Sequence, residues 1–322
     1  VTALDIPSFE PRAPWLTGDL QTLRGWLLRR DAALRPWPGE RIVLPLGDGD
    51  SLVGTLHRPA EDQRKLLVVL VHGLSGCETS SYIVESAANL LAGGWPVLRL
   101  NLRGAGPARA LCRGYYHAGR TEDLRAALAA LPAPMRASGI VLVGYSLGGN
   151  LVLKLLGEGA PPGVVAAASI SAPIDLAAAA ACILRPRNFV YHRHILASVK
   201  GETLAPEART SPEERAAIRS ARSLVAFDDV FTAPRHGFAD AADYYARASA
   251  GPYLAEIAVK TLVIHALDDP WIPGDAYVSF PWAKNQRLVP LLSRRGGHLG
   301  FVGRDRERRW HDLCLLRFLA RL

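Results

Sequence analysis

The chain has 322 residues, of which 49% are hydrophobic and 21% charged, with a formal net charge of +8. That length and apolar content suffice for one large α/β domain and exclude a mainly disordered chain. The arginines are scattered without interleaved aromatics, so the positive balance reads as solvated faces and argues against nucleic-acid binding.

In chain order, residues 1–38 carry Pro and Trp and read as a segment that wraps the surface. No basic-then-apolar signal and no run long enough to cross a bilayer is visible, so neither a secretory signal nor a transmembrane span is expected. Residues 40–46 and 51–56, joined by Gly47-Asp48-Gly49, form an expected antiparallel hairpin. Next come a strand over 66–71, a helix over 81–91 stopped by Gly93-Gly94, and a strand over 97–100. A helix over 122–131 follows, with Thr121 as its cap and Pro132 after it. Strands over 140–143 and 164–170 flank a helix, and further strands begin near Thr261 and Leu288. Such alternation implies a mostly parallel sheet with helices on both faces.

Between about 174 and 250 the alternation breaks. This stretch is too long for a plain connection and reads as a helical cap inserted over the mouth of a site. The chain closes with a basic amphipathic helix over 305–322, expected to pack on the sheet, with peripheral membrane contact left open. Cys77, Cys112, Cys182 and Cys314 are far apart and show no metal-type spacing, which fits a reduced, cytoplasmic protein. His192 and His194 form a His-x-His that on a strand would share one face, but no third ligand is apparent and no metal is expected. Asp228 and Asp229 read as structural, capping a turn.

The chemistry concentrates at strand ends. Ile140 to Val143 enters Gly144-Tyr145-Ser146-Leu147-Gly148, and an apolar helix-forming run leaves it. This is the pattern of a nucleophile elbow: a sharp strand-to-helix turn exposes a strained Ser, and side chains two positions either side would collide. The new helix aims unpaired N–H groups at the Ser. Upstream, another apolar strand ends in His72-Gly73-Leu74-Ser75-Gly76. In acyl transfer such a loop donates a backbone N–H to the oxyanion; Leu74 is the candidate there and Leu147 the second donor. His72 itself is expected to shape the loop and carry no proton. Downstream, one strand runs into Asp268-Asp269 and another into Gly296-Gly297-His298-Leu299-Gly300. The order is Ser146, then Asp, then His298, with both carboxylates open as the acid on position alone and Asp175 a remoter candidate.

The chain resembles the α/β-hydrolases and, more narrowly, the bacterial YheT-like (AB hydrolase-4) family. Four stretches carry the narrower likeness: Pro14-Trp15-Leu16-Thr17-Gly18-Asp19-Leu20-Gln21-Thr22, Leu100-Asn101-Leu102-Arg103-Gly104-Ala105-Gly106, the elbow through Asn150, and the Phe227-Asp228-Asp229 to Tyr244-Tyr245 block. The likeness spans nearly the whole chain. It implies a single α/β-hydrolase domain over 1–322 and a serine hydrolase acting on carboxylic esters, with related eukaryotic members being lipases or phospholipases on membranes. In this fold the acid commonly stands fourth in a Gly/Ala-x-x-Asp turn. Counted from Ala266 that is Asp269, which is preferred over Asp268. The expected activity is therefore a small-molecule ester hydrolase using Ser146, Asp269 and His298, with no cofactor. Trp271, Phe280 and Trp282 read equally as apolar walls for an acyl chain or as part of the core. Two alternatives stand beside it: an acyltransferase using the same residues, and a non-catalytic binding protein on the same fold.

Overall fold

The structure is a computed structural model describing residues 6–27, 34–59, 66–304 and 308–322. Its centre is an eight-stranded sheet: β1 (Gly39–Pro45), β2 (Ser51–His57), β3 (Leu67–Val71), β4 (Val97–Asn101), β5 (Ile140–Tyr145), β6 (Val164–Ile170), β7 (Lys260–Ala266) and β8 (Leu288–Ser293). Across the sheet they run β1-β2-β4-β3-β5-β6-β7-β8. β1 and β2 form the expected hairpin, and β2 pairs antiparallel with β4; every other pairing is parallel.

The period-two alternation of the strands divides the core. Val69, Val71, Ile140 and Leu142 pack on one face with the helices Thr121–Ala130 and Leu147–Gly157. Val68, Leu70, Val141 and Val143 pack on the other with Ser81–Ala92 and Trp310–Leu319. The central strands are buried on both faces, which explains their unbroken apolar sequences. The final helix starts at Trp310; it buries Cys314, Leu315 and Phe318 against the sheet, as expected. Residues 305–307 of the expected helix lie outside the described residues.

One local expectation is corrected, and a second point is decided by the local structure. Thr121 is the first residue of its helix and Arg120 precedes it; the Thr121 hydroxyl donates to Glu158 Oε2 (2.5 Å), so it does not cap. His192 and His194 stand on the helix Phe189–Leu204, where neighbours two apart point in different directions. The His192 ring accepts from the N–H of Leu224 (3.1 Å). Among the described residues no group of three or more His, Cys, Asp or Glu could hold a metal.

Between β6 and β7 the chain is helical, including Leu176–Ile183, Phe189–Leu204, Pro212–Ser220 and Ala241–Ala248. Pro212–Ser220 opens on a full capping box, in which Ser211 and Glu214 satisfy each other's backbone N–H. Two small apolar clusters join these helices to the body. Tyr115 packs with Val199, Phe227 and Phe231, while Ala118 and Leu147 pack with Leu176, Tyr244 and Tyr245. Asp228 does not cap a turn: buried, it accepts from Thr232 Oγ1 (2.7 Å) and the Tyr245 hydroxyl (2.6 Å). Asp229 accepts from the N–H of Ala241 (2.7 Å).

The N-terminal segment does more than wrap. In the helix Gly18–Leu27, Gln21 donates to the carbonyl of Val302 (3.1 Å) and accepts from its N–H (2.7 Å). Thr22 accepts from the N–H of His298 (2.8 Å). The first helix thus holds the loop after β8. Residues 1–5 and 28–33 of the segment lie outside the described residues.

Packing at the elbow leaves no room for a side chain at Gly148. A methyl group on Gly148 would run into the carbonyl oxygens of Val71 and His72 at the end of β3. Backbone cannot yield as a flexible side chain does. Gly148→Ala is expected to lose about 2 kcal/mol or more of stability, read as a lower urea midpoint; an unchanged midpoint would contradict this packing.

Candidate active site

Ser146 follows β5, the strand between β3 and β6, and takes φ 52° and ψ −123°. Such a positive φ is costly for a non-glycine residue. It is held by the Ser146 N–H donating to Ile170 O (2.8 Å) and by the N–H groups of Gly149 and Asn150 donating back to Ser146 O (2.8 and 3.1 Å). A methyl on Gly144 would strike the backbone of Gly148 and Gly149, so this position too admits only glycine. The helix Leu147–Gly157 begins at the next residue.

His298 lies in the loop after β8. Gly296, Gly297, Leu299 and Phe301 there all have positive φ, and the turn brings the imidazole back over the sheet edge. Its Nε2 is 2.9 Å from Ser146 Oγ, and its Nδ1 is 2.8 Å from Asp269 Oδ2. Asp269 uses its other oxygen to accept from the N–H groups of Trp271 (2.8 Å) and Ile272 (3.1 Å), which fixes the carboxylate plane. A carboxylate oxygen only accepts, so Nδ1 carries the ring proton and Nε2 is left to accept from the serine hydroxyl. The Trp271 indole stacks on His298, with ring centroids 4.3 Å apart.

The other carboxylates are engaged elsewhere. Asp268 accepts from the N–H of Gly297 (2.9 Å) and so braces the His298 loop. Asp175 accepts from the N–H of Ala178 (2.9 Å) at the start of the helix Leu176–Ile183. Of the three acids weighed from the sequence, Asp269 meets the imidazole.

The loop after β3 lies against the serine: a methyl on Gly73 would sit 2.9 Å from Ser146 Cβ. His72 is buried, accepting from the N–H of Leu102 at Nε2 (3.1 Å) and donating from Nδ1 to Gly73 O (2.8 Å). Burial lowers it to about 4, so it stays neutral and shapes the loop. The Gly73 N–H donates to the Tyr82 hydroxyl (2.9 Å) and that of Ser75 to the Tyr116 hydroxyl (2.7 Å). Between them stands Leu74. Among the described residues no hydrogen bond engages the N–H of Leu74 or that of Leu147.

Two cavities meet at Ser146, His298 and Leu74. One lies under the helical insertion and is chiefly apolar, lined by residues such as Leu176, Ile183, Val199 and Phe231. The other opens beside Cys77 and is richer in hydroxyl groups, with Thr22, Ser75, Ser80 and Ser81. Trp271 borders both. Phe280 and Trp282 border neither and pack on the core, so of the two readings open for these residues the wall holds for Trp271 and the core for the other two. Tyr82, Tyr116 and Glu202 carry no motif, and sequence reasoning missed all three; Thr22 ends the Pro14–Thr22 stretch, but its contact with His298 was not foreseen.

The neutrality of His72 is open to measurement. Its imidazole nitrogen shifts are expected to stay constant from pH 8 to 5 by NMR, whereas a midpoint near 6.5 would contradict the burial. Because the folded value is depressed, its stabilising contribution is full above the unfolded value of about 6.5 and drains away as pH falls toward 4.

Comparison with known proteins bears on the fold and the family. Residues 67–304 match the family model described as the alpha/beta hydrolase fold. The chain is 36% identical over 302 residues to "Putative esterase YheT" of Escherichia coli, covering 92% of this chain and 87% of that protein. It is 30% identical over 319 residues to Abhydrolase domain-containing protein 2 of Drosophila melanogaster, covering 92% and 78%. Among solved structures, the Pyrococcus furiosus esterase Pf2001 superposes with a TM-score of 0.62 at 16% identity, covering 98% of this chain and 97% of its own, a likeness of fold alone. The chain belongs to the α/β-hydrolase fold family and, within it, to the YheT-like hydrolases.

Proposed function

We propose that the protein is a serine hydrolase that cleaves carboxylic esters through an acyl-enzyme, with Ser146 as nucleophile, His298 as general base and acid, and Asp269 as its orienting carboxylate. The continuous contact from Ser146 Oγ to His298 Nε2 (2.9 Å) and from Nδ1 to Asp269 (2.8 Å) carries this reading.

His298 accepts the Ser146 proton as the oxygen attacks the ester carbonyl. Asp269 holds the reactive tautomer and stabilises the imidazolium that forms. The N–H groups of Leu74 and Leu147 stabilise the tetrahedral oxyanion; one such donor is worth about 10²–10³ in rate. His298 then protonates the departing alcohol, and water repeats the cycle on the acyl-enzyme. No step calls for a cofactor.

The apolar cavity beneath the insertion suits the acyl chain, and the hydroxyl-lined cavity suits the alcohol. In this reading the helices between β6 and β7 act as a cap that keeps water from the acyl side. No helix among the described residues is long and apolar enough to cross a membrane. The four free cysteines support a cytoplasmic location.

With p-nitrophenyl esters, Ser146→Ala and Asp269→Asn are each expected to lose about 10⁴-fold in turnover. Asp268→Asn, which removes only a brace on the loop, is expected to lose far less. Steady-state kinetics checks all three, and a Ser146→Ala enzyme retaining most of its activity would reject the nucleophile.

A further inference from the structure

Ser75 follows Leu74 in the loop after β3 and takes φ 52°, so the chain turns sharply at the very residue that ends the Leu74 peptide pair. Its N–H does not return to a backbone carbonyl; it donates to the Tyr116 hydroxyl (2.7 Å). A phenol oxygen that accepts there still has a proton to give, and it gives it to Glu202 Oε2 (3.3 Å). Glu202 belongs to the helix Phe189–Leu204 of the insertion and lines the apolar cavity together with Ser146. Three separate parts of the chain are thus linked by two hydrogen bonds.

Tyr116 is itself well anchored. Its N–H donates to Arg103 O (3.0 Å), and its ring meets His72 edge-on at 5.7 Å. Arg103 is buried and paired with Asp50 and Asp123. The groups facing Glu202 are the Tyr116 and Ser75 hydroxyls, Arg109 and, more remotely, Tyr82. Burial outweighs the attraction of Arg109 and pushes the Glu202 carboxyl up to about 7. A carboxyl facing an apolar cavity is an unfavourable choice for stability alone, since Leu or Ile would bury more cheaply. Its evident task is polar: it accepts from Tyr116 and faces the Ser75 hydroxyl.

We propose that Glu202 is a positioning residue for catalysis: through Tyr116 it fixes the turn at Ser75 and with it the N–H of Leu74, so that the insertion and the oxyanion donor are set as one unit. This inference rests on the reading of Ser146 as nucleophile.

The test is a double-mutant cycle on the full chain, with kcat and KM measured on a p-nitrophenyl ester. Tyr116→Phe and Glu202→Leu are each expected to cut kcat about 10- to 100-fold, with KM within about threefold of wild type. The double variant should be no slower than the slower single, because both break one chain of contacts. Glu202→Gln retains an acceptor for the Tyr116 hydroxyl and should recover most of the rate lost in Glu202→Leu. Tyr116→Phe and Glu202→Gln are near-isosteric, so they carry the test if Glu202→Leu fails to fold. Additive losses, a change confined to KM, or wild-type kcat in Tyr116→Phe would each overturn the inference. Ser146→Ala run alongside separates the two claims. If it is inactive while Tyr116→Phe is unimpaired, this inference alone fails; if it stays active, both fall.

Discussion

Everything at the site depends on one strained residue. Ser146 sits at the carboxyl end of β5 with φ 52°, a conformation that an L-residue adopts only when its surroundings compel it. The compulsion comes from packing on all sides. Gly144 and Gly148 touch, Gly148 abuts the end of β3, and the Ser146 N–H is tied to β6. The parallel sheet supplies the rest, because it delivers the ends of β3, β5, β7 and β8 to the same edge. Four loops leave that edge, carrying Leu74, Ser146, Asp269 and His298. Strand order thereby turns residues far apart in sequence into neighbours.

Electrostatics then sorts the histidines into distinct roles. His72 and His265 are buried, and both are lowered to about 4 by desolvation. His72 satisfies its two nitrogens with backbone and builds the loop. His265 lies flat on Tyr277, with ring centroids 4.0 Å apart, beneath the Asp269 turn. His298 alone among them has a carboxylate on one nitrogen and a hydroxyl on the other. The difference arises from neighbours and not from burial, since all three are almost wholly enclosed. Of these three imidazoles, His298 is the one in contact with the Ser146 hydroxyl.

Much of this was legible in the sequence, for identifiable reasons. Strand runs such as Leu66–Val71 and Ile140–Val143 are long, apolar and β-branched because their strands are covered on both faces. The Gly-x-Ser-x-Gly turn announces its own geometry, since only glycine fits at Gly144 and Gly148. Position alone left Asp268 and Asp269 open; the resemblance to α/β-hydrolases implies Asp269, and Asp269 is the one in contact with His298. The supporting residues were not legible. Thr22 meets His298 across 276 positions, and Tyr116 meets Glu202 across 86. A lone Thr, Tyr or Glu leaves no periodic trace, and its partner is chosen by tertiary packing. The His192–His194 pair illustrates the same limit: its spacing means one thing on a strand and another on a helix, and the segment is helix.

The central claim is that Ser146 is made nucleophilic by His298 and Asp269. Its most direct measurement is mass spectrometry of the protein after brief treatment with a fluorophosphonate, followed by peptide mapping. The account predicts one adduct per chain, located on Ser146, formed by the native protein and not after unfolding or in His298→Ala. An unmodified native chain, or an adduct on a different residue, would contradict it.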